Sequence, residues 1–276
     1  VSLVDAVLLG IIQGLTEFLP ISSTAHLTLA GRLMGLVTSE TSAQWTATIA
    51  VIQLGTAVSI LVYFRKELAA MFTALLHDAA NFRAARSAGF SPDSRLAFLI
   101  AVGTVPIVAI GLILKKVIEG NLTKDPSVIA VSLIVFALVL LWAERAGRRT
   151  RPLGEKTMTD AIVVGLAQAV ALVPGASRSG TTITAGLFLG FTREAAARFS
   201  FLLSIPAVLA SGLFELIGAR HQLGQGGVTV LAVSVVTSAV TGYAAIAFLL
   251  GYLRNHSTMV FIVYRILLGA ALLLFL

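Results

Sequence analysis

The sequence predicts an all-α polytopic membrane protein, built as an inverted-topology repeat with two re-entrant helical hairpins and about six full transmembrane spans. Three observations carry that prediction. Of 276 residues, 57% are hydrophobic and 12% are charged, with a mean hydropathy of +0.95, whereas a soluble domain carries about 25% charged residues because its surface faces water. Six apolar stretches have the length of a bilayer crossing. Two further apolar segments are interrupted by polar, proline-bearing runs, and these two segments align with each other.

The composition leaves no room for a separate soluble catalytic domain. Zero cysteines exclude a disulfide scaffold, and the chain is too apolar for disorder. The formal net charge of +7 is not a nucleic-acid footprint, because the basic residues sit in short loops between apolar stretches. No positive flank or small-residue cleavage site marks the N-terminus, and Gln13, Thr16 and Glu17 interrupt its apolar run, so it is read as mature structure.

The uninterrupted stretches are about 46–64, 96–114, 127–143, 199–218, 228–251 and 258–276. Segment 3–36 is broken by LPISSTAH and segment 160–191 by VPGASRSGTT. Backbone freed from helical hydrogen bonds cannot face lipid, so each break must line a protein-walled cavity. At one offset of 155 residues, Asp5 pairs with Asp160, Gly10 with Gly165, Gln13 with Gln168, Ser22 with Ser177, Gly31 with Gly186 and Gly35 with Gly190. Chance likeness between membrane helices shares Leu and Ala, but seldom Asp, Gln, Ser and three Gly in register, so the segment is duplicated. Three spans, an odd number, separate the copies, so the second enters from the opposite side. The single domain 1–276 then divides into repeat one at about 1–143, with hairpin 3–36, and repeat two at about 157–276, with hairpin 160–191.

Lys and Arg orient the chain. Arg65, Lys66, Arg83, Arg86, Arg95, Arg145, Arg148, Arg149, Arg151, Lys156, Arg193, Arg198 and Arg254 fall on one side, and Arg32, Lys115, Lys116, Lys124 and Arg220 on the other. Thirteen against five places the first group in the cytoplasm. The first hairpin then enters from outside, the second from the cytoplasm, and the C-terminus lies outside. The stretch from about 65 to 95 is too polar to span and is expected as a helix on the cytoplasmic surface.

The breaks hold the chemistry. Gln13 and Glu17 share a helix face, Pro20 ends that helix, Ser22, Ser23 and Thr24 offer hydroxyls at the next start, and His26 follows within a turn. An intramembrane carboxylate is costly and functional by default; Thr24 is equally read as a helix cap. In the second copy Pro174 and Gly175 break the helix, Ser177 and Ser179 flank Arg178, and Gly180, Thr181 and Thr182 open the next helix. A helix N-terminus with hydroxyls and an arginine is an anion site. Carboxylate beside anion site suggests a divalent metal bridging to phosphate, probed first with Mg2+ and Ca2+, with Glu17 and Gln13 as its ligands. His77, His221 and His256 are expected solvated, in loops or at span ends, and Glu215 and Arg265 within snorkelling reach of an interface.

Residues 13–26, QGLTEFLPISSTAH, and 174–182, PGASRSGTT, resemble the bacterial undecaprenyl-diphosphate phosphatases of the bacitracin-resistance type, and the likeness extends over nearly the whole chain, including RFSFLLSIP at 198–206. The resemblance implies a metal-dependent enzyme of the bacterial inner membrane that removes the terminal phosphate of a C55 isoprenoid diphosphate, with membrane lipid as its surroundings. It carries the family's Glu/Gln-x-x-x-Glu motif onto Gln13 and Glu17, its Ser-Ser-Thr-x-His onto Ser22, Ser23, Thr24 and His26, and its Pro-Gly-x-Ser-Arg-Ser-Gly onto 174–180. Many members have Glu where this chain has Gln13, and Ala25 replaces the more usual Gly.

Ser23 is the expected nucleophile, with His26 as proton carrier and Glu17 on the metal; attack by His26 or by metal-bound water stays open. The competing class is a transporter or flippase for a lipid-linked phosphate or other anion, since inverted repeats with broken helices are transporter architecture. A homodimer is compatible with the sequence. A phosphatidic-acid-phosphatase site is excluded, because no histidine follows Ser177 and Arg178 at that superfamily's spacing.

Overall fold

The computed structural model describes residues 2–37, 42–82, 85, 89–219 and 225–275. Arg83 and Arg86, from the expected surface helix, and Arg220 and His221 lie outside them. The described residues form twelve α-helices and no strand. Each broken segment folds as two helices meeting at a non-helical corner: α1 (Leu3–Phe18) with α2 (Ser23–Leu33), and α8 (Met158–Val170) with α9 (Arg178–Phe188). Apolar stretches without a break fold as α3 (Ser42–Tyr63), α5 (Pro92–Ile113), α7 (Pro126–Ala146), α10 (Arg193–Ala219), α11 (Gln225–Asn255) and α12 (Met259–Phe275). Two helices fill the connections, α4 (Arg65–Ala80) and the short α6 (Lys115–Glu119).

The chain is a polytopic membrane protein: five helices, α3, α5, α7, α10 and α11, are long and apolar enough to cross a bilayer. The sixth predicted span comes out shorter, with α12 only 17 residues long, about 25 Å at 1.5 Å per residue against a hydrocarbon core of about 30 Å. Its start is set by tertiary contact. Thr258, just ahead of the helix, donates its hydroxyl (2.8 Å) to the buried Glu144 at the end of α7, and Arg193 and Arg149 pair with the same carboxylate.

α4 occupies much of the polar stretch expected to lie on the surface. Phe72, Leu75 and Leu76 are exposed on it, the apolar face that such a helix needs. Ser91, just ahead of α5, binds back to Asp78, whose carboxyl is held down at about 2 by the Ser91 N–H and hydroxyl donors.

Local signals build the two corners alike. Ser2 and Asp5 form a capping box at α1, and Thr157 and Asp160 form one at α8. Ser22 caps α2 at φ +75°, accepting from Ala25 N–H, and Ser177 caps α9 at φ +70°, accepting from Gly180 N–H. Gly35 and Gly190 close the short helices at φ +70° and +86°, a conformation that L side chains adopt only under strain.

Packing is reciprocal. α1 lies chiefly against α11, and α8 lies against α5. A Cβ on Gly10 would meet Ser234 O at 2.6 Å, and one on Gly165 would meet Gly103 O at 2.4 Å, so both approaches need the bare backbone of a small residue. α3 packs on α10 and α11, and α7 packs on α12. The short helices α2 and α9 are thereby held inside the bundle with their N-termini at the two corners.

Candidate active site

Glu17, in the last turn of α1, is the hub. It is 5% exposed and accepts three donors: Gln13 Nε2 at 2.8 Å, Ser23 Oγ at 2.6 Å and the Arg178 guanidinium. The i, i+4 spacing puts Gln13 and Glu17 on one face, and the turn at 19–22 folds Ser23 back over that face. Arg178, the first residue of α9, comes from the other corner, and its ion pair with Glu17 joins the two breaks. Removing one partner of such a buried pair costs about 3–5 kcal/mol, because the other charge is left uncompensated. Gln13 is fully buried behind the cavity wall, its Nε2 turned to the carboxylate and its Oε1 without a hydrogen-bond partner.

The structure sorts the residues predicted for the site. Glu17, Ser22, Ser23, Thr24, Ser177 and Arg178 line one cavity of about 480 Å3. Ser179, Gly180, Thr181 and Thr182 stay behind its wall. The Ser179 hydroxyl donates to Leu19 O (3.0 Å), Gly180 N–H to Ser177 Oγ (3.1 Å), and the Thr181 and Thr182 hydroxyls to Arg178 O (3.1 and 2.7 Å), with Thr182 also 2.6 Å from Ser200 Oγ. These groups fasten the arginine's helix.

His26 sits elsewhere than the sequence suggests. Its Nδ1 is 2.7 Å from Ser22 O and its Nε2 is 2.6 Å from the Tyr264 hydroxyl. A carbonyl only accepts, so Nδ1 carries the proton and Nε2 accepts from tyrosine. Neither nitrogen faces Ser23; the α-helical start of α2 points the imidazole toward α12 instead.

Arg265 does not snorkel. It is fully buried, and its guanidinium donates to Pro20 O, Gly175 O and Ala176 O. Helix breaks leave carbonyls that need donors, and α12 brings one to both corners. Sequence reading missed Tyr264 and undervalued Arg265; the available signal was a Tyr-Arg pair inside an otherwise apolar helix. His77 and His256 are exposed, as expected.

From the Glu17–Arg178 floor the cavity runs between α3, α5 and α10, past Ile107, Val108, Leu112 and Phe214, to Lys115 and Lys124 at the far end of α5. Fold and site define a polytopic membrane protein with a buried acid, serine and arginine at the base of an apolar cavity. The chain belongs to the family Bacitracin resistance protein BacA, which matches residues 6–271. It is 54% identical over 272 residues to the undecaprenyl-diphosphatase of Syntrophobacter fumaroxidans, covering 99% of this chain and 96% of that protein. The undecaprenyl-diphosphatase of Chloroherpeton thalassium is 48% identical over 280 residues, with 98% and 95% covered. That of Myxococcus xanthus is 46% identical over 275 residues, with 100% and 89% covered.

Proposed function

We propose that the protein hydrolyses undecaprenyl diphosphate to undecaprenyl phosphate and inorganic phosphate in the bacterial cell membrane, recycling the carrier lipid for cell-wall synthesis. The observation that carries this reading is the Ser23 hydroxyl donating at 2.6 Å to a buried carboxylate that also holds Arg178. A hydroxyl so placed has its base in hand, and the arginine fork matches the phosphate oxygens. The cavity takes the diphosphate and the first isoprene units among apolar side chains, and the rest of the chain stays in lipid.

Glu17 takes the Ser23 proton as Oγ attacks the terminal phosphorus. The bond from that phosphorus to the bridging oxygen breaks, and the lipid phosphate leaves with the proton. The restored carboxylate then takes a proton from the water that cleaves the phosphoserine, and returns it to Oγ. Arg178 trades its carboxylate for phosphoryl oxygens as the substrate enters and neutralises charge that grows in the transition state. His26, bonded to Ser22 and Tyr264, holds the turn.

A divalent cation fits this donor set. The unpartnered Gln13 Oε1 and the Glu17 carboxylate would hold it, with substrate oxygens completing the shell. When bound, a cation such as Mg2+ or Ca2+ supplies positive charge to the phosphate oxygens.

The two corner segments, we further propose, are re-entrant hairpins of an inverted repeat, with repeat one at about 1–143 and repeat two at about 157–276. Matching caps, matching glycines and reciprocal packing of α1 and α8 support this. Lys115 and Lys124 at the cavity's end lie on the side with few basic residues, so the site opens outward.

Three experiments test these readings. Purified protein in detergent, where no gradient exists, releases phosphate from undecaprenyl diphosphate; a protein that binds the lipid without releasing phosphate is a transporter. Rapid acid quench traps an acid-stable phosphoserine, whereas an acid-labile phosphoenzyme would assign the attack to His26. For topology, single cysteines at Thr150 and Gly154 react only from the cytoplasm and one at Lys116 only from outside; labelling of all three from one side refutes the inversion.

A further inference from the structure

Arg265 is the bulkiest of the fully buried side chains and lies in the interior of α12. Its guanidinium reaches Pro20 O at 3.4 Å, Gly175 O at 3.1 Å and Ala176 O at 2.9 Å. No carboxylate pairs with it among the described residues, and its Nε has no partner. A buried cation compensated only by carbonyl dipoles is a costly way to fill space, so packing alone does not account for an arginine here.

The carbonyls it joins belong to opposite corners. Pro20 lies three residues before Ser23, and Ala176 lies two residues before Arg178. A planar fork with several donors spans both loops, which a single ammonium head does not. Arg265 is absent from the cavity wall, so it acts from behind the reacting groups. The neighbouring Tyr264 holds the first corner a second time, through His26 and the Ser22 carbonyl.

We propose that Arg265 is a positioning residue, clamping the two helix breaks together so that Arg178 faces Glu17 and Ser23. The inference rests on the phosphatase reading above. The clamp sets the distance between arginine and nucleophile, and leaves lipid binding to the cavity wall.

Kinetics on undecaprenyl diphosphate test it. Arg265→Lys keeps the charge but reaches one corner only, so kcat falls by about tenfold or more while KM stays within about twofold. Because the clamp acts through Arg178, adding Arg265→Lys to Arg178→Lys lowers kcat by less than about twofold further, a non-additivity that loss of general stability does not produce. Gly180→Ala is the second route: its Cβ would stand 2.7 Å from Arg265 Nη1 and 3.1 Å from Ser177 Cβ, and displaces the guanidinium without removing it, with the same split in kcat and KM; Ser177→Ala, which alters the cap alone, is its control. Gly180→Ala carries the test where Arg265→Lys does not give monodisperse protein. Wild-type kcat in either variant, or losses that multiply in the double variant, overturns the clamp. A raised KM with kcat preserved overturns it too, and makes Arg265 a substrate contact. Inactive wild-type protein in the same assay refutes the phosphatase reading, and the catalytic role of Arg265 falls with it.

Discussion

The corner at 19–22 and the corner at 171–177 share their caps and differ in length and in their side chains. Both end a helix that opens with a capping box, both restart on a serine at positive φ whose hydroxyl accepts from the residue three positions on, and both close on a glycine at positive φ. Against that common frame, Glu17 stands opposite Leu172, Ser23 opposite Arg178 and His26 opposite Thr181 at the 155-residue offset. Gln13 and Gln168 are the same residue in the same place, yet Gln13 binds Glu17, whereas neither amide atom of the fully buried Gln168 has a partner. The difference teaches that the caps make the corners and the residues beside the caps make the chemistry. One corner holds the acid and nucleophile, the other the cation.

Changing a chemical residue therefore breaks activity far more than changing a frame residue. The largest effect is expected for Glu17→Gln, which keeps the side chain's shape and removes the base. Phosphate release falls about 10³-fold, within the range general-base catalysis contributes, and a variant retaining a tenth of wild-type kcat would remove Glu17 from that role. Arg178→Lys comes next. A point charge cannot reproduce two parallel bonds to phosphate oxygens, so kcat/KM falls about 10–100-fold, and unchanged constants would mean that the arginine never leaves Glu17.

Frame residues behave as equals in the two corners. Ser22→Ala and Ser177→Ala each lose a cap worth about 1 kcal/mol, which lowers Tm by about 2–4 °C in a chain of this size. Thermal melts that differ strongly between the two variants would show that the corners are not mechanically alike. The smallest effect on activity is expected for Gly35→Ala and Gly190→Ala, which lie outside the cavity wall. A Cβ at Gly35 meets nothing within 4 Å, and one at Gly190 meets Arg151 Cδ at an ordinary 3.5 Å. Only the positive φ is penalised, by about 1 kcal/mol, and kcat stays at the wild-type value. A loss of activity at Gly190 alone would trace to Arg151, which binds Asp160 in the capping box.

Much of this was legible in the sequence because near neighbours encode it. Composition dictates burial in lipid, apolar runs dictate long helices, and Pro20, Pro174 and Gly175 dictate where α1 and α8 stop. The Gln13–Glu17 face follows from helical spacing alone. Ser23 could be placed at a helix start from the order of proline and hydroxyl residues, without knowing what would stand opposite it.

Tertiary structure decided the partners. Arg178 meets Glu17 across 161 residues, and His26 meets Tyr264 across 238, so the imidazole that stands near Ser23 in sequence is drawn toward α12 in space. Arg265 reads as a snorkelling cation until packing buries it against Pro20, 245 residues away. The start of α12 likewise depends on Glu144, 114 residues earlier. Local pattern specifies each helix and each corner, because propensities and caps act over a turn or two. Which corner faces which is set by packing between helices far apart in the chain, and side-chain spacing carries no record of it.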